Sequence, residues 1–203
     1  DYASSEAGKL RDALLDKGLA VTSIKRMFGS IKAIINLAMA EHGIEGRNPF
    51  ASIHMPDETT TDRQPISLDD IRRIQNECKQ FDDENRWLLA LISDTGMRLS
   101  EAAGLARDDI VLDTDVPHIK LVPHSWRRLK TKGSERLVPL VGASLWAAKS
   151  LQQHDSNYAF PRYCDGKTCS ANSASAALNK WLKPRVNGHA VVHSLRHSMR
   201  DRL

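Results

Sequence analysis

The chain has 203 residues, of which 41% are hydrophobic and 27% charged, and its formal net charge is +4. Such a composition is typical of a globular protein with a substantial core, either one domain or one domain and part of another. It excludes a membrane-spanning helix, since no run of about 20 apolar residues occurs. The small positive excess permits nucleic acid binding without establishing it.

Residues 1–56 are predicted to form a helical domain. A first helix is expected over residues 5–17 and ends at Gly18, because glycine commonly follows the last helical residue. Thr22 is expected to cap a longer second helix, whose apolar stripe is too wide for one partner helix. That width, together with a start that lacks Met, predicts that the chain begins within a longer protein. The stripe comprises Ile24, Met27, Phe28, Ile31, Ile34, Ile35, Leu37 and Ala38.

Residues 57–65 are predicted to be a linker, because they contain three threonines and a proline and show no apolar periodicity. The second domain, residues 66–203, opens with Ser67, a helix cap followed three residues later by Asp70. Ser100 is expected to cap a short helix. Helices are expected over 71–78, 101–105, 145–151, 174–182 and from 192 onward. A further helix is expected over 87–91 and is expected to end near Gly96. Strands rich in Val, Ile and Leu are expected over 110–112, 118–122 and 136–141. The predicted fold class is therefore mainly α with a small antiparallel β-sheet (α+β).

The cysteines Cys78, Cys164 and Cys169 form an odd set without a disulfide framework. We therefore expect reduced thiols in a reducing compartment such as the cytoplasm. Cys164 and Cys169 lack a second Cys or His pair at zinc-ligand spacing, so no metal site is predicted.

Arg98 lies in the segment Asp-Thr-Gly-Met-Arg-Leu-Ser-Glu-Ala-Ala-Gly-Leu, between a Thr-Gly break and a predicted helix. Backbone N–H groups at such a junction face an anion, and the arginine fork donates two parallel hydrogen bonds to phosphate. Glu101, three residues later, is expected to hold Arg98 in place. The alternative is an exposed Arg–Glu helix pair, which is the commoner explanation for such a pair taken alone.

Residues 126–136 are the most basic stretch of the chain and are predicted to form a hairpin loop around Gly133. Five basic residues stand here against one acid, Glu135. A basic hairpin can enter a groove of DNA and contact phosphates, and an unpaired lysine at a phosphate can act as a general acid. The alternative is a solvated loop, as most charge runs are. The basic residues are Arg127, Arg128, Lys130, Lys132 and Arg136.

His193 and Arg196 are three residues apart on a predicted helix and therefore share one face. Histidine can shuttle protons near neutral pH and arginine can bind phosphate oxygens, although a single His-x-x-Arg is a weak pattern. His197 is expected to point elsewhere, into packing. Three further histidines have no partner at useful spacing and are interpreted as ordinary: His118, His124 and His189.

Three motifs in this order resemble the tyrosine recombinase (phage integrase) family. They are Thr-Gly-x-Arg-x-x-Glu, a Lys-Thr-Lys hairpin before Arg-Leu-Val-Pro-Leu, and His-x-Leu-Arg-His. The resemblance covers nearly the whole chain, since Gly-Leu-Ala-Val-Thr before the long helix and the later Asn-Pro-Phe are similar to the family's core-binding domain. It implies a partial helical, SAM-like core-binding domain at 1–56 and a C-terminally truncated recombinase catalytic domain at 66–203.

The resemblance implies a site-specific recombinase that cleaves and rejoins duplex DNA through a 3′-phosphotyrosyl intermediate, without metal or nucleotide cofactors. Arg98 and Arg196 would bind the non-bridging oxygens of the scissile phosphate, with Glu101 in support. Lys130, or Lys132 as the alternative, would protonate the departing 5′ oxygen. His193 would assist proton transfer. Contacts to DNA are expected from Arg127, Arg128, Lys132, Arg136, Lys25 and Lys32.

The implied partners are the duplex DNA of a recombination core site and other recombinase protomers, with no membrane. A bacterial, phage or mobile-element origin is implied, and the protein would act in the cytoplasm on nucleoid DNA. Two alternatives remain open. One is a DNA-binding protein of the same fold without catalysis. The other is a type IB topoisomerase, against which the Asn-Pro-Phe helical domain argues.

The chain departs from the family pattern at the nucleophile. The family's nucleophilic tyrosine follows His-x-x-Arg, whereas Tyr2, Tyr158 and Tyr163 all precede His193. No nucleophile is therefore assigned in this chain. It is expected to be a truncated form that binds DNA without cleaving it.

Overall fold

The structure, a computed structural model, describes residues 3–57, 65–153 and 155–202. Helices dominate these residues, and three short strands form one antiparallel sheet, which confirms the predicted fold class. The helices are α1 (Ser4–Asp16), α2 (Val21–His42), α3 (Leu68–Phe81), α4 (Glu84–Thr95), α5 (Leu99–Ala103), α6 (Gly142–Leu151), α7 (Ala171–Leu182) and α8 (Val192–Arg202). The strands are β1 (Ile110–Val111), β2 (His118–Leu121) and β3 (Arg136–Pro139).

Two compact units make up the chain, residues 1–62 and 63–203. The first contains α1 and α2, and the second contains the remaining helices and the sheet. The predicted linker, residues 57–65, lies mostly outside the described residues. Each unit buries apolar side chains of its own.

The first unit contains two helices whose ends are set largely by glycine. Gly18 (φ +77°) follows α1, and Gly43 (φ +61°) ends α2. Glycine adopts this left-handed conformation without a Cβ clash, which is why both helices stop there. The prediction that Thr22 caps α2 is wrong, because Ala20 occupies the N-cap and Thr22 lies in the first helical turn.

The core of the first unit forms along one side of α2. Ile24 and Phe28 are buried, and the Phe28 ring meets the Phe50 ring edge to face at a centroid distance of 5.1 Å. The Asn48 amide donates to the Asn36 side-chain oxygen at 2.6 Å, which fixes the turn that carries Phe50. Within the described residues, part of the predicted apolar stripe remains exposed: Met27, Ile34 and Leu37.

Helix α4 is the centre of the second unit, because its side chains are apolar on nearly every face. Its residues from Trp87 to Ser93 are all buried, and α3, α6 and α8 pack around it. Ser67 caps α3 as predicted, since its hydroxyl accepts the Asp70 backbone N–H at 3.1 Å. A cap of this kind stabilises a helix by about 1 kcal/mol. Gly96 ends α4, also as predicted.

The sheet has the order β1-β2-β3, with both pairs antiparallel. Ile119 pairs with Ile110 on one side and with Val138 on the other, and all three are buried. Leu137 alternates with Val138 and is exposed, as the two-residue period of a strand requires. The basic stretch predicted to form a hairpin loop lies between β2 and β3, apart from Arg136, which is the first residue of β3.

Candidate active site

A tight turn at the end of α4 places Arg98 at the start of α5. Gly96 adopts φ +60° and Met97 is buried. The backbone of Arg98 is extended, and the first helical residue, Leu99, follows it. Arg98 therefore occupies the N-cap position that was predicted for Ser100. That prediction is wrong because the helix begins at Leu99, two residues earlier than expected.

Glu101 holds Arg98 through both of its carboxylate oxygens. Its Oε1 accepts a hydrogen bond from Arg98 Nη1 at 2.6 Å, and its Oε2 accepts one from the Arg98 backbone N–H at 3.1 Å. The second bond is the backbone half of a capping box. Only 2% of the Glu101 side chain is exposed, whereas 32% of the Arg98 side chain is exposed. The pair is therefore not an exposed helix pair, and the expected support of Arg98 by Glu101 is present.

Arg136 joins the same carboxylate from the sheet. Its Nη2 donates to Glu101 Oε2 at 3.1 Å, and its Nη1 donates to the Ser134 carbonyl at 2.8 Å. Arg136 is the first residue of β3, so this contact connects the sheet to the α4–α5 turn. Arg136 is expected from the sequence to be a general DNA contact, and no local pattern predicts its contact with Glu101.

Arg196 reaches the same region from α8. Its Nη1 donates to the Gly96 carbonyl at 2.5 Å. Partial burial lowers the pKa of Arg196, and the positive charges of Arg98 and Arg136 lower it further, while Glu101 opposes the shift. Gly96 precedes Arg98 in the same turn, so Arg196 holds the turn whose arginine bonds to Glu101. We refer to Arg98, Arg136, Arg196 and Glu101 as the arginine cluster.

The Glu101 carboxylate stays ionised within the arginine cluster. Burial alone would raise the pKa of Glu101, but hydrogen bonds from the Arg98 side chain and backbone and from Arg136 outweigh this effect. The net pKa lies below its ordinary value. Three guanidiniums and one carboxylate leave the cluster with a positive charge that suits an anionic ligand.

Two cavities adjoin the arginine cluster. One, of about 380 Å³, has both Arg136 and Arg196 in its wall. The other, of about 410 Å³, is lined by Arg98 and His193 together with residues of α5, α7 and α8. Cationic side chains thus face open space large enough for a phosphate group and its neighbours.

His193 and His197 lie one turn apart on α8. Their rings meet edge to face at a centroid distance of 4.9 Å. His197 also lines the cavity that contains Arg196, so the prediction that it points elsewhere is wrong. On a helix, residues i and i+4 lie on one face, which explains why the two imidazoles meet.

Further contacts fix the elements that carry the arginine cluster. Asp94 Oδ2 accepts the Ala143 backbone N–H at 2.8 Å, and Asp94 Oδ1 accepts from Gln75 at 2.8 Å. These bonds tie the end of α4 to α6 and α3. Asn179 on α7 accepts the Val192 backbone N–H at 2.9 Å and so caps the start of α8. The separation of these partners in the sequence hides both roles from local pattern analysis.

The structure does not bring Lys130 into the arginine cluster. Lys130 is exposed on the loop between β2 and β3, and neither cavity beside the cluster includes it in its lining. Arg128 is likewise exposed on this loop. The side chain of Lys132 lies outside the part of the chain that the structure describes. The choice between Lys130 and Lys132 as general acid therefore stays a prediction.

Arg127 is a buried structural residue, which contradicts its predicted contact with DNA. Only 1% of its side chain is exposed, and its Nη2 lies 3.2 Å from Asp109 Oδ2. Its Nη1 donates to the Glu101 carbonyl at 3.1 Å. A guanidinium enclosed in this way cannot reach a phosphate. Breaking a buried ion pair by removing one partner costs about 3–5 kcal/mol, so Arg127 stabilises the fold.

His124 also contacts Asp109, although no partner at useful spacing is expected for it from the sequence. Its Nε2 lies 2.9 Å from Asp109 Oδ1, and its ring stacks on Trp126 at a centroid distance of 4.5 Å. The separation of 15 residues between Asp109 and His124 has no helical or strand period. The sequence offers no local signal for this contact.

The two lysines of α2 with predicted DNA contacts differ in their surroundings. Lys25 is exposed. Lys32 Nζ donates to the Ala51 carbonyl at 3.1 Å, within the first unit. The amine of Lys32 therefore holds the segment that follows Pro49, whereas the amine of Lys25 is exposed to a ligand.

The two described tyrosines pack away from the arginine cluster. The Tyr163 hydroxyl donates to the Asn85 side-chain oxygen at 2.5 Å, and the ring is buried. The Tyr158 ring meets the Trp126 ring edge to face at a centroid distance of 5.3 Å. Neither tyrosine lines the two cavities beside the cluster. Tyr2 lies outside the described residues.

No group of three or more His, Cys, Asp or Glu side chains suited to a metal ion occurs within residues 3–57, 65–153 and 155–202. The three cysteines are free thiols, and burial raises the pKa of Cys78 to about 12. None of the helices in these described ranges is long and apolar enough to cross a membrane.

Comparison with known proteins finds an integrase family model and two tyrosine recombinases that are similar to this chain. The model of the phage integrase family matches residues 65–203. The tyrosine recombinase XerC of Chlamydia pneumoniae is 23% identical over 200 residues, which is 92% of this chain and 60% of that protein. The tyrosine recombinase XerD of Halalkalibacterium halodurans is 23% identical over 204 residues, covering 94% of this chain and 64% of that protein. The chain thus spans somewhat less than two thirds of each of these recombinases.

Solved structures resemble the fold over nearly its full length. The Tn1549 transposon integrase in complex with circular intermediate DNA matches with a TM-score of 0.72 at 18% identity, covering 100% of this chain and 73% of that one. A lambda integrase tetramer bound to a Holliday junction matches with a TM-score of 0.70 at 15% identity, covering 99% of this chain and 59% of that one. At these identities the likeness concerns the fold.

Proposed function

Because the chain belongs to the phage integrase family, we propose that it binds duplex DNA and holds one phosphodiester at the arginine cluster. The full protein would cleave and rejoin DNA as a site-specific recombinase, through a 3′-phosphotyrosyl intermediate. Arg98 and Arg196 would donate hydrogen bonds to the non-bridging oxygens of the reacting phosphate. Glu101 would keep Arg98 in position for this contact.

One observation carries this proposal: Arg98 and Arg136 bond to one buried carboxylate, Glu101, and Arg196 bonds to the carbonyl of the adjoining turn, all beside open cavities. Arg98 comes from the α4–α5 turn and Arg196 from α8, 98 positions apart in the chain. Both remain partly exposed. A structural ion pair would need one arginine for one carboxylate. The excess of cations therefore supports an anionic ligand at this point.

The proposed chemistry follows from the charge that develops in phosphoryl transfer. The attacked phosphate gains negative charge on its equatorial oxygens, and fixed guanidiniums stabilise that charge without reorganising. Arginine suits this role because it stays ionised and donates from a planar fork. His193, beside Arg98 in one cavity, would assist proton transfer. Lys130 on the exposed loop would reach the leaving oxygen when DNA is bound.

We propose that none of the tyrosines in this chain is the nucleophile. Tyr163 is buried with its hydroxyl bonded to Asn85, and Tyr158 packs on Trp126. Both placements support a structural role. The chain itself would then bind DNA without forming the phosphotyrosyl link, and other protomers would join the full protein on DNA. The bacterial recombinases that it resembles support a site of action in the cytoplasm.

Fluorescence anisotropy with a labelled duplex of about 30 base pairs tests the DNA binding. We expect wild-type protein to bind and Arg196→Gln to bind about tenfold more weakly, because one phosphate contact is lost. Arg72→Gln is the matched control, since Arg72 is 73% exposed on α3 and pairs with Asp69 at the surface. Absence of binding by the wild-type chain would contradict the proposal.

A covalent-trapping assay tests the assignment of the tyrosines. The chain is incubated with a nicked duplex from which a cleaved fragment can diffuse, and the products are separated in denaturing gel. No protein–DNA adduct is expected. An adduct that disappears in Tyr158→Phe or Tyr163→Phe would show that one of these residues is a nucleophile after all.

A further inference from the structure

We propose that Arg136 is a third phosphate-binding arginine of the site, acting together with Arg98 and Arg196. The inference rests on the proposed DNA binding and extends it to a residue to which the family resemblance gave no role at the reacting phosphate. Arg136 would donate from its guanidinium to the same phosphate or to the one adjacent to it.

The first support is the way Arg136 is held. Two of its N–H groups are used, one on Glu101 Oε2 at 3.1 Å and one on the Ser134 carbonyl at 2.8 Å. A guanidinium has five N–H donors, so donors remain for a ligand. The two bonds fix the plane of the fork, and a fixed fork loses little freedom when it binds phosphate.

The second support is exposure. A third of the Arg136 side chain is exposed, and it shares the wall of a cavity of about 380 Å³ with Arg196 and Arg200. Arg127 shows the contrasting case of a structural arginine, since only 1% of its side chain is exposed. Arg136 therefore has the accessibility that Arg127 lacks.

The third support is the charge of the arginine cluster. Three guanidiniums and one carboxylate give a net charge of +2, whereas the cluster without Arg136 would have +1. A phosphodiester carries one negative charge and gains more as a nucleophile attacks it. Arg136 restores the positive charge that Glu101 removes, and so lets a buried carboxylate position Arg98 without weakening phosphate binding.

A simpler role must be separated from this one: Arg136 could serve only to neutralise Glu101. The two roles differ once Glu101 has lost its charge. If Arg136 only neutralises the carboxylate, removing it in the Glu101→Gln background has no effect on DNA binding. If Arg136 binds phosphate, its removal weakens binding in either background.

The experiment measures the affinity for a generic duplex of about 30 base pairs at several salt concentrations. The proteins are wild type, Glu101→Gln, Arg136→Gln and the double variant. We expect Arg136→Gln to lower the slope of log affinity against log salt by about one, both alone and in the Glu101→Gln background. An unchanged slope when Arg136 is removed from the Glu101→Gln background would overturn the proposal.

Arg136→Lys gives a further check, because it keeps the charge while losing the fork. The salt slope should stay within the error of wild type. A slope reduced as far as in Arg136→Gln would also overturn the proposal, provided that thermal unfolding shows both variants folded. Failure of the wild-type chain to bind DNA would instead reject the proposed function. Binding that is lost in Arg196→Gln but unaffected in both Arg136 variants would reject the role of Arg136 alone.

Discussion

The carboxylate of Glu101 bonds to Arg98 at both its side chain and its backbone, with distances of 2.6 Å to Nη1 and 3.1 Å to the amide nitrogen. One buried residue therefore sets the start of α5 and the direction of a guanidinium at the same time. The fold of the turn and the geometry of the proposed phosphate site cannot be changed separately.

Removal of this carboxylate should destabilise the second unit strongly. Glu101→Ala leaves Arg98, Arg136 and a backbone N–H without their acceptor, and losing one partner of a buried pair costs about 3–5 kcal/mol. Glu101→Gln keeps an acceptor oxygen and should cost less. Urea denaturation of the protein measures the free energy of unfolding of both variants. As a control, Asp69→Asn at an exposed pair on α3 should change the free energy of unfolding by less than about 1 kcal/mol.

Stability should also depend on pH through Glu101. The folded-state pKa of Glu101 is lowered, because hydrogen bonds from Arg98 and Arg136 outweigh the opposing effect of burial. The contribution is therefore fully present above the unfolded pKa of about 4.3 and is lost as the pH falls through the folded pKa. The difference in unfolding free energy between wild type and Glu101→Gln should shrink below about pH 4.3. A difference that stays constant from pH 6 to pH 3 would contradict this expectation.

Arg127 and Arg128 are adjacent in the chain but should respond differently to substitution. Arg127→Gln removes the buried partner of Asp109 and should destabilise the protein by about 3 kcal/mol without changing the salt slope of DNA binding. Arg128→Gln at the exposed neighbour should leave stability unchanged and lower the slope by about one. Denaturation and anisotropy are measured on both variants. A lowered slope in Arg127→Gln, with the protein still folded, would show that the buried arginine reaches DNA.

Gly96 should be intolerant of a side chain. Its φ of +60° disfavours other residues, and an added Cβ would lie 3.1 Å from Met199 Cβ. Gly96→Ala should therefore destabilise the protein by about 1–3 kcal/mol and displace the carbonyl that accepts Arg196. Gly133→Ala is the matched control, since nothing lies within 4 Å of its added Cβ. Equal melting temperatures for the two variants would refute the strain at Gly96.

Short sequence patterns are sufficient to predict much of the fold and part of the candidate active site. The Ser67 cap, the end of α4 at Gly96 and the three strands follow from short patterns whose physical basis is local hydrogen bonding and steric freedom. Ser100 failed as a cap because a buried carboxylate three residues after Arg98 fixed an earlier start. Tertiary contacts therefore decided the helix boundary where two local signals competed.

Long-range contacts account for what the sequence did not predict. Arg136 reaches Glu101 only because β3 pairs with β2 and begins beside the α4–α5 turn. The burial of Arg127 depends on Asp109, 18 residues away, and a run of basic residues gives no sign of which member is enclosed. The charge pattern thus predicts that the loop is basic. It does not predict which of the basic side chains are exposed and able to contact DNA.

The most direct test of phosphate binding at the arginine cluster is the salt dependence of duplex affinity in the Arg98→Gln, Arg196→Gln double variant. Each arginine that contacts a phosphate contributes about one to the slope of log affinity against log salt, so the slope should fall by about two relative to wild type. The Arg72→Gln control should keep the wild-type slope. A double variant that is folded and retains the wild-type slope would contradict the account.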